Sequence, residues 1–370
     1  MIARLTAALP VLAIVAFVVT TAAIVWSAGS TLGYDFHAYE GAARRILDGG
    51  RLYDPAVDVA GGFAIYLYPP PFALAIVPLA AIGGQAAVSA WTGLLILAFA
   101  AGVALLPVSR TIRWLVVLLA ALDWPFLYSL KLGQVGPILF LLFAIGWRAL
   151  DRPGHPCGPG DRVVLGSSIG LGALVKVQPG LLIGWAVLTA RWRVAVVAVA
   201  VVLAGALIAT LVTGTQPWFD YPALLGRVSS PITTPHNFTP GAVAWQAGVP
   251  AGLAGVIQAG ATLGALVAVV IAARAATSEA SYLVAVVASQ LISPLLWDHY
   301  AMLLLLPVAW LLERGQWWAL AVPLATSILL IGLAPPVVYP IVFAVCLVAP
   351  IVVGWDRRPP PPAVFAGVAA

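Results

Sequence analysis

The sequence predicts an all-α protein, a polytopic bundle of membrane-spanning helices, and three observations carry that reading. Of its 370 residues 62% are hydrophobic and 8% are charged, where a soluble domain carries about 25% charged residues. The mean hydropathy of +1.05 agrees. Apolar stretches suited to a bilayer recur from residue 8 to residue 354, with no room for a soluble domain between them; a helix needs about 20 such residues to cross roughly 30 Å of hydrocarbon.

The spacing predicts twelve membrane segments, near 8–28, 72–106, 112–129, 135–150, 163–176, 179–191, 194–213, 251–273, 281–297, 299–313, 317–333 and 336–354. The first reads as a retained helix: its apolar core exceeds the about 7–15 residues of a signal-peptide core, and many spans follow. Only Val177-Gln178 separates the fifth segment from the sixth, and Pro179 breaks the helix there. Those two segments therefore predict a hairpin that stops short of one face. The organisation expected is a single integral-membrane domain over 1–358, with a Pro-rich disordered tail at 359–370.

Arginines orient the bundle, because Lys and Arg collect at cytoplasmic ends. With the N-terminus inside, the inner ends carry Arg4, Arg110, Arg113, Arg148, Arg152, Arg162, Arg191, Arg193, Arg274, Arg314, Arg357 and Arg358, and both termini are cytoplasmic. The net charge of +5 is then topological and calls for no nucleic acid. Two long loops, 29–71 and 214–250, fall on the outer face with most of the acidic groups: Asp35, Glu40, Asp48, Asp54, Asp58, Asp220 and Asp298.

In the first outer loop, Phe36, Tyr39, Ala43, Ile46 and Leu47 recur at helical spacing, and Gly49-Gly50 ends the run. Asp35 precedes that helix, so one reading makes it the N-cap of a helix lying on the membrane interface. Tyr66-Leu67-Tyr68-Pro69-Pro70-Pro71-Phe72 returns the chain to the bilayer, where aromatics anchor at the interface. Three further polar clusters map to the same face: Lys131 with Gln134, Lys176 with Gln178, and Asp298 with His299. A lysine near a helix end is often only snorkelling, yet an ionisable group at membrane depth is a functional candidate. Asp123 is another such group, with bonding inside the bundle as its alternative reading.

A carboxylate that takes a proton from an attacking hydroxyl, cations that hold a phosphate leaving group and an imidazole able to do either form a set suited to glycosyl transfer from a phosphate-linked sugar. No GxGxxG or Walker sequence stands in a strand-to-helix context, which agrees with a lipid-linked donor in place of a nucleotide sugar. Cys157 and Cys346 offer neither a disulfide framework nor a metal cluster. Asp35, Asp54 and Asp58 share a loop without the spacing of a calcium site, so no metal and no cofactor is expected. In the second outer loop, Arg227 reads either as a contact to an anionic acceptor headgroup or as a solvated charge, and His236 reads as a solvated residue.

Tyr34-Asp35 with Tyr39, Gly49 and Tyr53-Asp54-Pro55, then Tyr68-Pro69-Pro70, Gly133-Gln134, Lys176 with Pro179, and Ser293-Pro294 with Trp297 and His299 together resemble glycosyltransferase family 87. These are polyprenol-phosphate-mannose-dependent mannosyltransferases of the GT-C superfamily, and the resemblance runs from about residue 30 to residue 315. It implies a GT-C bundle, an inverting transfer from a polyprenyl phosphosugar to a glycolipid or lipoglycan, and a plasma-membrane enzyme whose site faces outward. By position it implies Asp35 as the general base and His299 beside the donor phosphate. It further implies Lys176 and Gln134 as phosphate or sugar ligands; Lys131 and Asp298, in the same polar clusters, are further donor-side candidates, and Tyr39 and Arg227 are candidates on the acceptor side. Where the family shows paired histidines, this chain has Asp298-His299-Tyr300. An arabinosyl donor would ask for similar residues, and a lipid or sugar transporter is the reading from another class.

Overall fold

The computed structural model describes residues 2–54, 65–152, 154–227, 231–234, 236–330 and 332–355; the tail at 359–370, Arg357, Arg358 and Asp58 lie outside them. The described residues form helices with three isolated bridges and no strand. The first outer loop is ordered at its start. Helix α1 (Ile2–Ala28) ends in a 3-10 turn at Gly29–Thr31, and α2 (Tyr34–Leu47) follows the left-handed Gly33. Gly33, with no side-chain bond, is the N-cap of α2. Asp35 sits inside the first turn, so the capping role expected of it is not the one it plays.

The apolar stretch expected as one segment at 72–106 is two helices, α3 (Pro70–Ile82) and α4 (Gly84–Leu105). They part at Gly83 and Gly84, whose φ values of +68° and +57° lie in the region that favours glycine. The segment at 112–129 is likewise divided, into α5 (Arg110–Leu122) and α6 (Trp124–Leu132), with Asp123 at the break. Backbone freed at membrane depth needs partners inside the protein, and here a second broken segment supplies them. Trp124 N donates to Thr326 O at 3.1 Å and Ile328 N to Leu122 O at 2.8 Å. Thr326 Oγ1 donates to Asp123 Oδ1 at 3.0 Å, and Phe126 N to Asp123 Oδ2 at 3.3 Å. Asp123, 1% exposed, therefore bonds within the bundle.

Next come α7 (Gly136–Arg148), α8 (Pro159–Val175), the 3-10 turn Gln178–Gly180, α9 (Leu181–Leu188) and α10 (Trp192–Thr213). The second outer loop folds into α11 (Pro217–Arg227) and α12 (Pro240–Gln246). The remainder is α13 (Ala251–Ala275), α14 (Ser278–Leu291), a 3-10 stretch Asp298–Leu304 running into α15 (Leu305–Glu313), then α16 (Ala321–Ala325) and α17 (Val338–Val353).

Among the described residues four segments are long and apolar enough to span a membrane: Ala7–Thr31, α4, α10 and α13. The pair α6 and α7, bent by 120°, would make a fifth. The other apolar segments of the twelve expected are too short. One of them, α14, is apolar because it lies inside the protein: it is buried from Glu279 to Leu291 and packs against α13 and α17. A helix apolar all round marks burial in a large core as well as in lipid.

The two long loops meet. Arg51 pairs with Asp220 at 2.9 Å, the rings of Tyr53 and Tyr221 stack at 5.5 Å, and Tyr221 Oη donates to Leu67 O at 3.4 Å. Asn237, fully buried, ties the second loop to the chain before the 3-10 stretch. Its amide donates to Pro294 O at 3.1 Å and its Oδ1 accepts from Leu296 N at 3.0 Å.

Candidate active site

Asp35 reaches the interior of the bundle because two turns are pressed together. Gly33 N donates to Lys131 O at 2.8 Å, docking the start of α2 on the end of α6. Gly133, at φ +74°, leaves the room needed: a Cβ there would lie 2.9 Å from that of Phe36. The ring of Phe36 stacks on Trp91 at 5.4 Å, and Trp91 Nε1 donates to Gly133 O at 2.7 Å, locking the junction.

That junction faces Asp35 toward Gln134, whose Nε2 donates to Asp35 Oδ2 at 2.5 Å. The orientation of the amide follows from its other side. Gln134 Oε1 accepts from Tyr68 Oη at 2.8 Å and lies 3.2 Å from Tyr39 Oη, which donates to Tyr68 Oη at 2.8 Å. Two hydroxyls on the oxygen leave the amide nitrogen for the carboxylate.

Asp35, Gln134, Lys176 and His299 line one cavity of about 880 Å³, together with Lys131 and Asp298. Its size falls within the about 300–1,000 Å³ of small-molecule sites. Lys176, at the C-terminal end of α8, is buried; its Nζ donates to Tyr300 Oη and lies 3.6 Å from that ring's centroid. His299 is 4% exposed, and neither ring nitrogen has a hydrogen-bond partner among the described residues. Burial pushes the Asp35 carboxyl above its usual range; nearby His299, the bond from Gln134 and Lys176 pull it part of the way back.

The remaining expected residues fall differently. Asp298 is occupied within the protein: Oδ2 accepts from Trp124 Nε1 at 3.1 Å and Oδ1 from His299 N at 2.8 Å. It braces the start of the 3-10 stretch, and with it the histidine. Tyr39, 1% exposed, is a wall behind Asp35 and bonds to Tyr68, so its hydroxyl is engaged inside the protein. Arg227 is exposed at the end of α11 and is not part of the cavity wall, to which that helix gives Tyr221 and Leu225. His236, expected as a solvated loop residue, lines the cavity at a left-handed φ of +58°. Tyr128 and Tyr300 line it too, though neither stood out in the sequence. The i, i+4 spacing of Tyr128 from Trp124, with rings stacked at 4.9 Å, was a signal available for the first. No cluster of three or more His, Cys, Asp or Glu suited to a metal occurs among the described residues.

A family profile for glycosyltransferase family 87 matches residues 66–296. The chain belongs to glycosyltransferase family 87. No curated protein and no solved structure matches it. Family 87 membership together with the apolar helices makes the protein a membrane glycosyltransferase acting on a sugar donor and an acceptor. The matched residues include Gln134 and Lys176 but stop short of Asp35, Asp298 and His299. These three join the same cavity through the fold.

Proposed function

We propose that this family 87 enzyme transfers a mannosyl residue from polyprenyl-phosphate-mannose to a lipid or lipoglycan acceptor, with inversion, on the outer face of the plasma membrane. The observation that carries this reading is the convergence of the Asp35 carboxylate, the Lys176 amine and the His299 imidazole on a single cavity. Gln134 occupies Asp35 Oδ2, which leaves Oδ1 to take the proton of the acceptor hydroxyl. That oxygen attacks the anomeric carbon from the side opposite the phosphate, the sugar–phosphate bond breaks, and the electron pair leaves on the phosphate. Lys176 and His299 then stabilise the departing charge. Apolar residues of the same wall, Leu67, Val177, Leu181 and Leu295 among them, suit an isoprenoid chain.

Contact between the 29–71 and 214–250 loops supports their sharing a face, as the arginine distribution requires. Cytoplasmic termini follow from the same distribution. In a fold of broken segments the twelve-segment count becomes a smaller number of complete crossings with short helices buried among them.

Transfer of label from polyprenyl-phosphate-mannose to a total lipid extract by purified protein tests the reading, and the new linkage should have the anomeric configuration opposite to the donor's. Label from an arabinosyl donor alone would overturn the sugar assignment; retained configuration would overturn the mechanism.

Gln134→Leu gives a more specific test. The amide proton on Asp35 favours the charged carboxylate, so its loss raises the carboxyl's pKa further. Since the base works only when ionised, the acid limb of the kcat/KM profile moves to higher pH. Activity at neutral pH falls about tenfold and recovers in alkali. A uniform loss at every pH would reduce Gln134 to a packing role.

A further inference from the structure

A second cavity, of about 500 Å³, lies at the opposite end of α8 from Lys176. Seventeen residues of α8 separate the two, about 25 Å at the rise of an α-helix. The loop between α7 and α8 forms one wall and the loop between α9 and α10 the other. Its charged lining is Arg162, Arg191, Arg193 and Asp151. Arg191 is committed: one Nη2 bonds Asp151 Oδ2 at 2.5 Å and Ser278 Oγ at 2.8 Å. Asp151 therefore balances Arg191, and Arg162 and Arg193 remain as the net charge of the wall.

The surroundings place this charge at headgroup depth. Both α8 and the spanning helix α10 begin there, and Trp192, 56% exposed, stands at the mouth as interfacial tryptophans do. Just beyond the mouth the outward surface becomes apolar: Val163 and Val164 on α8 and Val196 and Val199 on α10 are exposed. The two helices pack closely at Gly166 and Gly170, where an added Cβ would meet α10 backbone oxygens at 2.7 Å. A ligand here meets at its head two guanidinium groups that pair with no carboxylate among the described residues, Arg162 bonding Cys157 of the same wall, and hydrocarbon along its tail. Neither a soluble phosphate nor a zwitterionic lipid uses both features.

We propose that this cavity is a binding site for the headgroup of an anionic phospholipid, its phosphate held by Arg162 and Arg193 and its acyl chains lying along α8 and α10. The site is independent of the sugar-transfer cavity and of the donor assigned to it. By the arginine distribution it opens on the inner leaflet, where anionic lipids attract basic clusters.

Native mass spectrometry of the purified full chain, titrated with phosphatidylglycerol and with phosphatidylcholine of the same acyl chains, tests it. The expected result is one phosphatidylglycerol retained per chain at concentrations where phosphatidylcholine is lost. R162Q/R193Q should weaken retention about twenty-fivefold, at fivefold per arginine, and R162K/R193K should recover most of it. The exposed R193Q alone, expected to weaken retention about fivefold, serves if the double variant does not fold. Equal retention by R193Q and wild type, or no preference between the two lipids, overturns the proposal. Displacement of the lipid by millimolar inorganic phosphate also overturns it, in favour of a site for a soluble anion.

Discussion

Asp35→Asn is expected to lower kcat by about 10²–10⁴-fold, the range a general base contributes, while leaving donor binding intact. The substitution keeps the shape, and the new amide oxygen can still accept from Gln134 Nε2, so the α2–α6 junction stays closed. It removes only the ability to take a proton. Because burial already raises the Asp35 carboxyl's pKa, the folded protein bears a cost for holding a charge there. The neutral variant should therefore melt at the same temperature as wild type or slightly above it. Wild-type turnover in the folded variant would remove Asp35 from the chemistry. The same desolvation fixes the sign of the wild-type pH dependence: activity rises with pH through a carboxyl pKa displaced upward from the usual range, so the acid limb lies closer to neutrality than for an exposed aspartate.

Lys176→Met is expected to reduce kcat by about 10²–10³-fold, the loss seen when one group stabilising transition-state charge is removed. Methionine preserves most of the apolar stem and removes the amino group, which donates to Tyr300 Oη and acts on Asp35. Two consequences separate chemistry from packing. The acid limb should move to higher pH, because Lys176 is one of the groups holding the Asp35 carboxyl down. The larger effect should fall on kcat, with KM for the donor changing less, if charge develops on the phosphate as the bond breaks. An unchanged pH profile with a loss of thermal stability alone would identify Lys176 as a prop for Tyr300, to which its ammonium donates.

Much of the site was legible as composition against background. Asp35, Gln134, Lys176 and His299 are polar residues in a chain where only 8% are charged, and each falls at the end of an apolar stretch. What could not be read was whether a polar group faces the cavity or the protein. Asp298 has the same local setting as His299, yet Trp124 and the backbone of His299 occupy it. Arg227 and His236 sit in the same loop, but the end of α11 leaves the first exposed and a left-handed residue brings the second to the cavity. Side-chain direction of this kind depends on contacts across more than a hundred positions, which no local pattern encodes.

By itself the sequence determined that the protein is helical, that it lives in a membrane, which end collects the arginines, and that it resembles family 87, the family its profile match establishes. These properties follow from residue type and order, since hydrocarbon admits few charges and demands backbone bonds within the chain. Only the tertiary structure decided how many apolar stretches are long enough to cross. Hydropathy rewards burial in protein and in lipid alike, so α14 reads as a span although its surroundings are other helices, and the segments broken at Asp123 and Thr326 read as continuous. It also decided which polar groups meet, because glycine-to-glycine contact at Gly33 and Gly133 brings Asp35 to Gln134 from 99 residues away.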